Sequence, residues 1–436
     1  MPSAADIDAA AERISAVVSP TPLEPSPRLS ALTGANVYLK REDLTRVRSF
    51  KLRGAYNAMA QLDASERAAG VVAASAGNHA QGVAYACRAM GIRGRIYVPT
   101  RTPKQKRDRI RVHGGDFVEL IGIGDTFDAA AAAAAEDVAR TGATLIPPFD
   151  DARTAAGQGT IAHEIVQQLH GDLDLLVVPV GGGGLIAGLA SYLSERSPHT
   201  SIVGVEPAGA ASMTAALVAG GPVTLPEVEP FVDGAAVKRI GDLPYAVVSR
   251  LGAEIVTHSN LPLVAALRRD GLGSAPFGMA QVDEGAICTA MLELYQNEGI
   301  IAEPAGALSV AALESLAVHP DANVVCLVSG GNNDVSRYGE IIERSLVHRG
   351  LKHYFLVDFP QEPGALRRFL DEVLGPDDDI TLFEYVKRNN RETGAALVGI
   401  ELGAAENLSS LLHRMDVSPV EAQRLEPGSP AYRYLT

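Results

Sequence analysis

Eight short apolar runs, separated by segments with helical periodicity, constrain the fold of this 436-residue chain more than any other feature. Runs that are apolar at nearly every position are typical of strands buried on both faces, and strands joined by helices pair in parallel. Residues 1–335 are therefore predicted to be an α/β core, with parallel sheets covered by helices on both faces and two interleaved domains. The predicted strands are VYLK (37–40), GVVAAS (70–75), GRIYVP (94–99), DFVELIG (116–122), ATLIPPF (143–149), DLLVVPV (174–180), SIVGVE (201–206) and NVVCLVS (323–329).

The pattern changes near His353, where strand-like and helix-like segments follow one another in the order βαββαβ. This order predicts a small ferredoxin-like α+β domain over residues 351–425. Residues 336–350 have the composition of a helical connector between it and the core.

Composition excludes several classes of protein. The 52 acidic residues outnumber the 38 basic ones, which argues against a nucleic-acid partner. The three cysteines (Cys87, Cys288 and Cys326) form no CxxC pair, so neither a disulfide framework nor a zinc site is expected. The N-terminus lacks the pattern of a signal peptide, and the longest apolar stretch is too short for a membrane helix. We expect a soluble, cytoplasmic protein with no membrane partner.

The most informative segment is a predicted strand that runs into Gly181, Gly182, Gly183 and Gly184 and continues from Leu185 as a helix. Successive backbone N–H groups at a helix N-terminus bind anions, so a phosphate group is the expected ligand. The segment lacks the Gly-Lys-Ser/Thr ending of a nucleotide P-loop.

Two other interpretations of this loop stay open on the segment alone. Gly182, Gly184 and Ala187 satisfy a relaxed dinucleotide fingerprint, and Glu206 ends the next predicted strand at the spacing that a ribose contact requires. A purely structural glycine turn explains the same residues.

Three further segments contain candidate ligand-binding side chains. Lys51 begins a predicted helix among apolar residues, and desolvation there would lower its pKa and make its amine a nucleophile, although a solvated charge is the ordinary case. The segment 75–82, SAGNHAQG, follows a buried strand and opens a helix, as an anion-binding turn or a plain connection would. Ser329 follows the last predicted parallel strand, where open α/β sheets hold ligands, and a helix cap is the alternative.

These segments, in this order, resemble the fold-type II pyridoxal-phosphate (PLP) enzymes, and most closely the biosynthetic threonine dehydratases (threonine ammonia-lyases). The resemblance covers essentially the whole chain. It rests on SFKLRGA (49–55), SAGNHAQG (75–82), the four glycines, EPAGA (303–307) and SGGNN (329–333).

The resemblance implies pyridoxal 5'-phosphate as the cofactor and assigns a role to each matching residue. Lys51 would form the Schiff base, and Phe50 would flank the cofactor ring. The phosphate would lie on Gly181, Gly182, Gly183, Gly184 and Leu185, the ring hydroxyl on Asn78, and the pyridine nitrogen on Ser329. The substrate carboxylate would lie on the turn of Ser75, Ala76, Gly77 and His79.

The resemblance also implies an activity, the deamination of L-threonine to 2-oxobutanoate and ammonia, the first committed step of isoleucine biosynthesis. L-serine is a possible second substrate. The C-terminal domain resembles an ACT-like regulatory domain, with a matching loop at 359–366, which implies isoleucine as allosteric effector and a homo-oligomer, a dimer or a tetramer. The competing hypotheses are a serine dehydratase or racemase on the same scaffold and an amino-acid sensor with an inactive core.

The sequence departs from the family pattern at two places. Related enzymes can bind a divalent cation near the strand end at Glu206 with a later carboxylate, but Ser212 stands where that acid is expected, so we predict no metal. Residues 261–280 are additional sequence, for which a surface insertion is the default expectation.

Overall fold

A computed structural model of the protein describes residues 1–255, 277–385, 392–426, 429 and 432. The chain divides into two units, Met1–Asn333 and Asp334–Thr436. The helix predicted for the connector lies at Tyr338–His348 and belongs to the second unit.

Two sheets form the framework of the first unit. In chain order its strands are β1 (Leu23–Pro25), β2 (Asn36–Arg41), β3 (Val71–Ala74), β4 (Gly94–Val98), β5 (Val118–Gly122), β6 (Thr144–Leu145), β7 (Leu175–Pro179), β8 (Ser201–Pro207), β9 (Glu254–Ile255), β10 (Phe277–Val282) and β11 (Asn323–Val328). The larger sheet has the order β1-β2-β11-β7-β8-β10-β9 and the smaller one the order β5-β4-β3-β6. All pairs are parallel except β1 with β2.

Helices connect these strands. They span Ala4–Ile14, Pro27–Thr33, Lys51–Ala60, Ala64–Ala69, Asn78–Met90, Lys104–Gly114, Phe127–Thr141, Ala152–Gln168, Gly184–Arg196, Ser212–Ala219, Asp242–Arg250, Glu284–Glu298 and Pro304–Ala311. No helix in the described ranges is long and apolar enough to cross a membrane.

The side chains of the larger sheet point alternately to two apolar layers, because successive residues of a strand face opposite sides. Leu176 and Val178 pack into one core with the helices 4–14, 152–168 and 184–196. The helix Pro304–Ala311 packs against β7 and β11 on the other face. Burial on both faces explains why these strands are apolar throughout, and the predicted α/β class is confirmed.

Two expectations about strands need correction. The additional sequence 261–280 is not a surface insertion throughout, because Phe277, Met279 and Ala280 are buried in β10, which pairs with β8 and β9. Residues 261–276 lie outside the described part. The strand predicted at 143–149 is shorter, since β6 ends at Leu145. The N–H of Ile146 still donates to the carbonyl of Val72 over 2.9 Å, but the two prolines that follow have no N–H with which to continue the pairing.

The second unit is a four-stranded antiparallel sheet with the strand order β13-β14-β12-β15, in which β12 spans Lys352–Pro360, β13 Asp379–Tyr385, β14 Thr393–Glu401 and β15 Glu421–Leu425. The helices Ala365–Glu372 and Leu408–Val417 complete the predicted βαββαβ order. Phe355, Val357 and Phe359, alternating along β12, pack with Phe369 and Leu411 of the two helices into one core.

Candidate active site

Lys51 is the first residue of the helix Lys51–Ala60, which begins beside the carboxyl end of β11. The backbone N–H of Phe50 donates to the carbonyl of Ser329 over 3.1 Å, and Ser49 forms a bridge with Gly330. The start of the helix is therefore attached to the strand end where open parallel sheets hold their ligands.

The Lys51 amine lies in a polar but poorly solvated environment. Its Nζ donates to the carbonyl oxygen of Pro148 over 3.0 Å and lies 5.1 Å from the centre of the Phe50 ring. Desolvation lowers the pKa of Lys51 to about 8, against a smaller opposing effect of the Glu303 carboxylate. A lysine with this pKa has a substantial neutral fraction near physiological pH and can act as a nucleophile or a base.

The glycine loop packs against the segment whose Pro148 carbonyl accepts the hydrogen bond from Lys51. A Cβ atom at Gly184 would lie 2.8 Å from the Cα of Phe149, the residue after Pro148. Gly183 has a φ of +89°, which favours glycine, and the helix Gly184–Arg196 follows at once. The N–H groups of the first helical turn have no acceptor within the helix, so the loop is a suitable phosphate site.

Asn78 begins the helix Asn78–Met90, and its side chain is fixed from both ends. Its Nδ2 donates to Oε1 of Glu303 over 2.6 Å, and its Oδ1 accepts a bond of 2.8 Å from Nδ2 of Asn332. Asn332 also donates to the carbonyl of Val47 over 2.8 Å and accepts from Arg109 over 3.0 Å. An arginine can only donate and a backbone carbonyl can only accept, so these two groups fix which amide atom points where.

The turn predicted to bind a carboxylate follows β3 at the end of the smaller sheet. Its residues Ser75, Ala76 and Gly77 are partly exposed, and the Ser75 hydroxyl accepts the N–H of Gly77 over 3.2 Å. His79 is buried, and its Nε2 lies 2.7 Å from the carbonyl of Ile146 and must therefore carry the ring proton. Burial, with a smaller effect of Lys51, lowers the pKa of His79 to about 3, so the ring is neutral.

Ser329 lies directly after β11 and is buried. Its hydroxyl donates to the carbonyl of Ala305 over 3.2 Å, within the EPAGA segment. It does not cap a helix, so the helix-cap alternative for Ser329 is wrong.

The residue that a dinucleotide site would use is already engaged. The Glu206 carboxylate accepts the N–H groups of Met213 and Thr214 over 2.6 and 2.9 Å and the Thr214 hydroxyl over 2.7 Å. It therefore binds the start of the next helix rather than a ribose. Ser212 begins this helix with a buried hydroxyl, and no cluster of metal-binding side chains lies among the residues that the structure describes. The absence of a metal stays a prediction.

Sequence reasoning singled out the segments but missed several contacts. Pro148, Phe149 and Asn332 had no predicted role, and Glu303 was noted only as part of a motif. The double proline before Phe149 and the carboxylate that opens EPAGA are the signals that mark them. Together the fold and the site define a class of proteins, α/β enzymes in which a lysine of lowered pKa and a glycine loop at a helix N-terminus contact the same short segment. The residues fit a phosphorylated aldehyde, because amine and anion site share the segment 148–149.

Two family models match the chain. The model described as pyridoxal-phosphate dependent enzyme matches residues 14–330, and the model described as C-terminal regulatory domain of threonine dehydratase matches residues 343–435.

Curated relatives match over nearly the full length. The biosynthetic L-threonine dehydratase IlvA of Mycobacterium tuberculosis is 67% identical over 99% of this chain and 96% of the relative, and that of Bacillus subtilis is 48% identical over 94% and 91%. Among solved structures, the processed threonine deaminase isoform 2 of Solanum lycopersicum is 40% identical, with a TM-score of 0.69 over 78% of this chain and 92% of the other. Maize serine racemase is 30% identical, with a TM-score of 0.68 over 80% and 98%. The chain belongs to the biosynthetic L-threonine dehydratases within the pyridoxal-phosphate dependent enzymes.

Proposed function

We propose that this protein deaminates L-threonine to 2-oxobutanoate and ammonia with PLP held at Lys51, and that it supplies the first committed step of isoleucine biosynthesis. The observation that carries the proposal is the Lys51 amine, whose pKa is lowered to about 8, beside the segment 148–149 that also contacts the glycine loop. The curated relatives, of which this chain covers 96% and 91%, are named as threonine dehydratases.

The residues that would hold the cofactor are Lys51 for its aldehyde, the loop 181–185 for its phosphate, Asn78 for its ring hydroxyl, Ser329 for its ring nitrogen and Phe50 beside its ring. When bound, PLP supplies an electron-withdrawing group that makes the substrate's α-proton acidic.

Lys51 would act as the general base once its amine is free, since a neutral amine is needed to accept the α-proton. The substrate carboxylate would be bound by backbone N–H groups of the turn 75–77 rather than by a histidine charge, because the His79 ring is neutral. His79 would instead fix the turn through its bond to the carbonyl of Ile146.

Ser329 would limit how strongly the pyridine ring of the cofactor withdraws electrons. A neutral hydroxyl supports a protonated ring nitrogen less than a carboxylate does, and the Ser329 hydroxyl has a single proton that is shared with the carbonyl of Ala305. Loss of the β-hydroxyl of threonine is then favoured over transamination.

The pKa of Lys51 predicts how cofactor loading depends on pH. Attachment needs the neutral amine, so the loading rate should rise with pH and level off above about pH 8, rather than near the value of 10.5 for an ordinary lysine. The measurement is the rate at which cofactor-free protein gains visible absorbance after mixing with PLP at a series of pH values. A rate that is still rising steeply near pH 10 would contradict the lowered pKa.

We further propose that isoleucine regulates the enzyme through the domain 351–425, that the protein is a homo-oligomer, a dimer or a tetramer, and that it works in the cytoplasm. The match of residues 343–435 to the regulatory-domain family supports the first point. An effector acts by binding the active and inactive arrangements of the enzyme with different affinities, and about 1–3 kcal/mol of coupling gives roughly five- to 150-fold inhibition.

An assay of 2-oxoacid formation tests function and regulation together. The intact protein should form 2-oxobutanoate from threonine, and isoleucine should inhibit the reaction. A chain that ends at Asn333, the last residue of the first unit, should keep the activity and lose the inhibition. The same assay with serine measures the preference between the two substrates.

The truncated chain is checked for bound cofactor by its visible absorbance before the comparison. Equal inhibition of the intact and truncated proteins would place the effector in the catalytic core. An intact, cofactor-loaded protein with no activity towards threonine would refute the proposed reaction.

A further inference from the structure

Glu303 is placed as if to cap a helix but does not do so. It is the N-cap residue of Pro304–Ala311, a position where a carboxylate normally accepts an N–H group of the first turn. Its side chain makes no such bond. Instead Oε1 accepts the Asn78 amide over 2.6 Å, across 225 residues of chain.

The residues around Glu303 leave space for its carboxylate. A Cβ atom at Gly330, in the loop after β11, would lie 2.4 Å from Oε1 of Glu303, so only glycine leaves room for it there. Glu303 is 5% exposed and its backbone N–H donates to the carbonyl of Gly330 over 3.0 Å. A buried carboxylate is unfavourable for stability unless it is well paired, which makes a role beyond folding the better explanation.

The charged groups around Glu303 come from several elements. Glu303 lies beside the segment that leads into Lys51, because its Oε1 is next to Gly330 and Gly330 pairs with Ser49. Its carboxylate stabilises the ammonium form of Lys51. Asp233 opposes ionisation of Glu303 and Lys106 favours it, and these two residues form an ion pair with each other. Burial outweighs the favourable contacts and raises the pKa of Glu303 to about 7, so near neutral pH its charge is not fixed.

We propose that Glu303 is a positioning residue that fixes the Asn78 carboxamide and supplies the counter-charge for the nitrogen of Lys51. Asn332 fixes the same carboxamide from the other end. The ring hydroxyl of the cofactor then meets an amide in one defined orientation, and the charge on the Lys51 nitrogen is stabilised. This inference rests on the proposed PLP function.

Glu303→Gln tests the counter-charge in the intact, cofactor-loaded protein. Glutamine keeps an oxygen for the Asn78 amide but removes the charge. The visible absorbance is titrated from about pH 6 to about pH 10, and the pH at which the band of the Lys51-bound cofactor is lost should fall by about one unit relative to the natural protein. A purely structural role would leave this value unchanged.

Glu206→Gln is the matched control. Glu206 is also a buried glutamate with a pKa raised to about 7 by burial, but its carboxylate binds the N-terminus of the helix Ser212–Ala219. Its replacement should lower the thermal midpoint and leave the spectral titration unchanged. An unchanged titration in Glu303→Gln, or an equal shift in Glu206→Gln, overturns the counter-charge role.

Glu303→Asp separates the two roles and serves if the glutamine variant does not fold. Aspartate keeps the charge but shortens the reach to Asn78 by one methylene group. The titration should stay close to that of the natural protein while the dissociation constant for PLP rises about tenfold, which corresponds to the loss of one good hydrogen bond. Unchanged PLP affinity in Glu303→Asp overturns the role towards Asn78. A natural protein that gains no visible absorbance with PLP refutes the proposed function itself and is distinct from both outcomes.

Discussion

Replacing Lys51 with alanine is expected to abolish 2-oxobutanoate formation, with a loss of more than about 10³-fold, while the protein remains folded. One amine is proposed to bind the cofactor and to accept the α-proton, so a single substitution removes both functions. The visible absorbance of the cofactor should disappear in the same variant. Activity is measured as 2-oxoacid formed from threonine, and folding by thermal unfolding.

The pKa of Lys51 also predicts the direction in which this substitution changes the stability of the cofactor-free protein. The pKa of Lys51 in the folded chain lies below its ordinary value of 10.5, so the unfolded chain binds more protons between about pH 8 and pH 10.5. The buried amine therefore lowers the free energy of unfolding by its full amount below about pH 8, and alanine removes this destabilisation. The cofactor-free variant should therefore unfold at a temperature no lower than that of the cofactor-free natural protein.

Lys104→Ala is the matched control, because Lys104 is exposed and its pairing is with Asp108 one turn along its own helix. This variant should keep activity and colour. Near-natural turnover in Lys51→Ala would refute the assignment of Lys51, and a loss of folding together with activity would mean that its role is structural.

The parallel core and the C-terminal domain could be predicted because the buried faces of strands and helices determine where apolar residues stand in the sequence. Strands such as β7 are covered on both faces and are apolar at every position, whereas β12 alternates where only one face packs into the core. β10 was missed because its first residues, 277–280, belong to the additional sequence and because Gly278 and Gln281 interrupt the apolar run.

The site could be predicted by segment but not by contact. Motifs indicated Lys51 and Asn78, but their partners lie far away in sequence: Pro148 is 97 residues from Lys51, and Glu303 is 225 residues from Asn78. Which segments meet depends on the strand order of two sheets, and local periodicity contains no information about that order. Glu206 illustrates the same limit, since its spacing suits a ribose contact while its carboxylate binds Met213 and Thr214.

The second large effect, a loss of PLP affinity, is expected for Gly184→Ala in the glycine loop. A Cβ atom at this position would lie 2.8 Å from both the Cα and the carbonyl oxygen of Phe149. These are backbone atoms and cannot rotate away, so the loop or the segment 148–149 must move. Because Lys51 donates to Pro148, the displacement would disturb the amine and the phosphate site together.

The expected result is a loss of PLP affinity of ~2 kcal/mol or more, which is roughly 30-fold, with a smaller change in the thermal midpoint of the cofactor-free protein. The measurement is a titration of the cofactor-free variant with PLP, followed by visible absorbance. Gly221→Ala is the control, because a Cβ atom there meets nothing within 4 Å and its φ is not positive, so PLP affinity should be unchanged. If Gly184→Ala binds PLP as tightly as the control does, the phosphate does not lie on this loop.

A free phosphate ion provides the independent check, since it should compete with PLP in the natural protein and in Gly221→Ala through the N–H groups of the first helical turn.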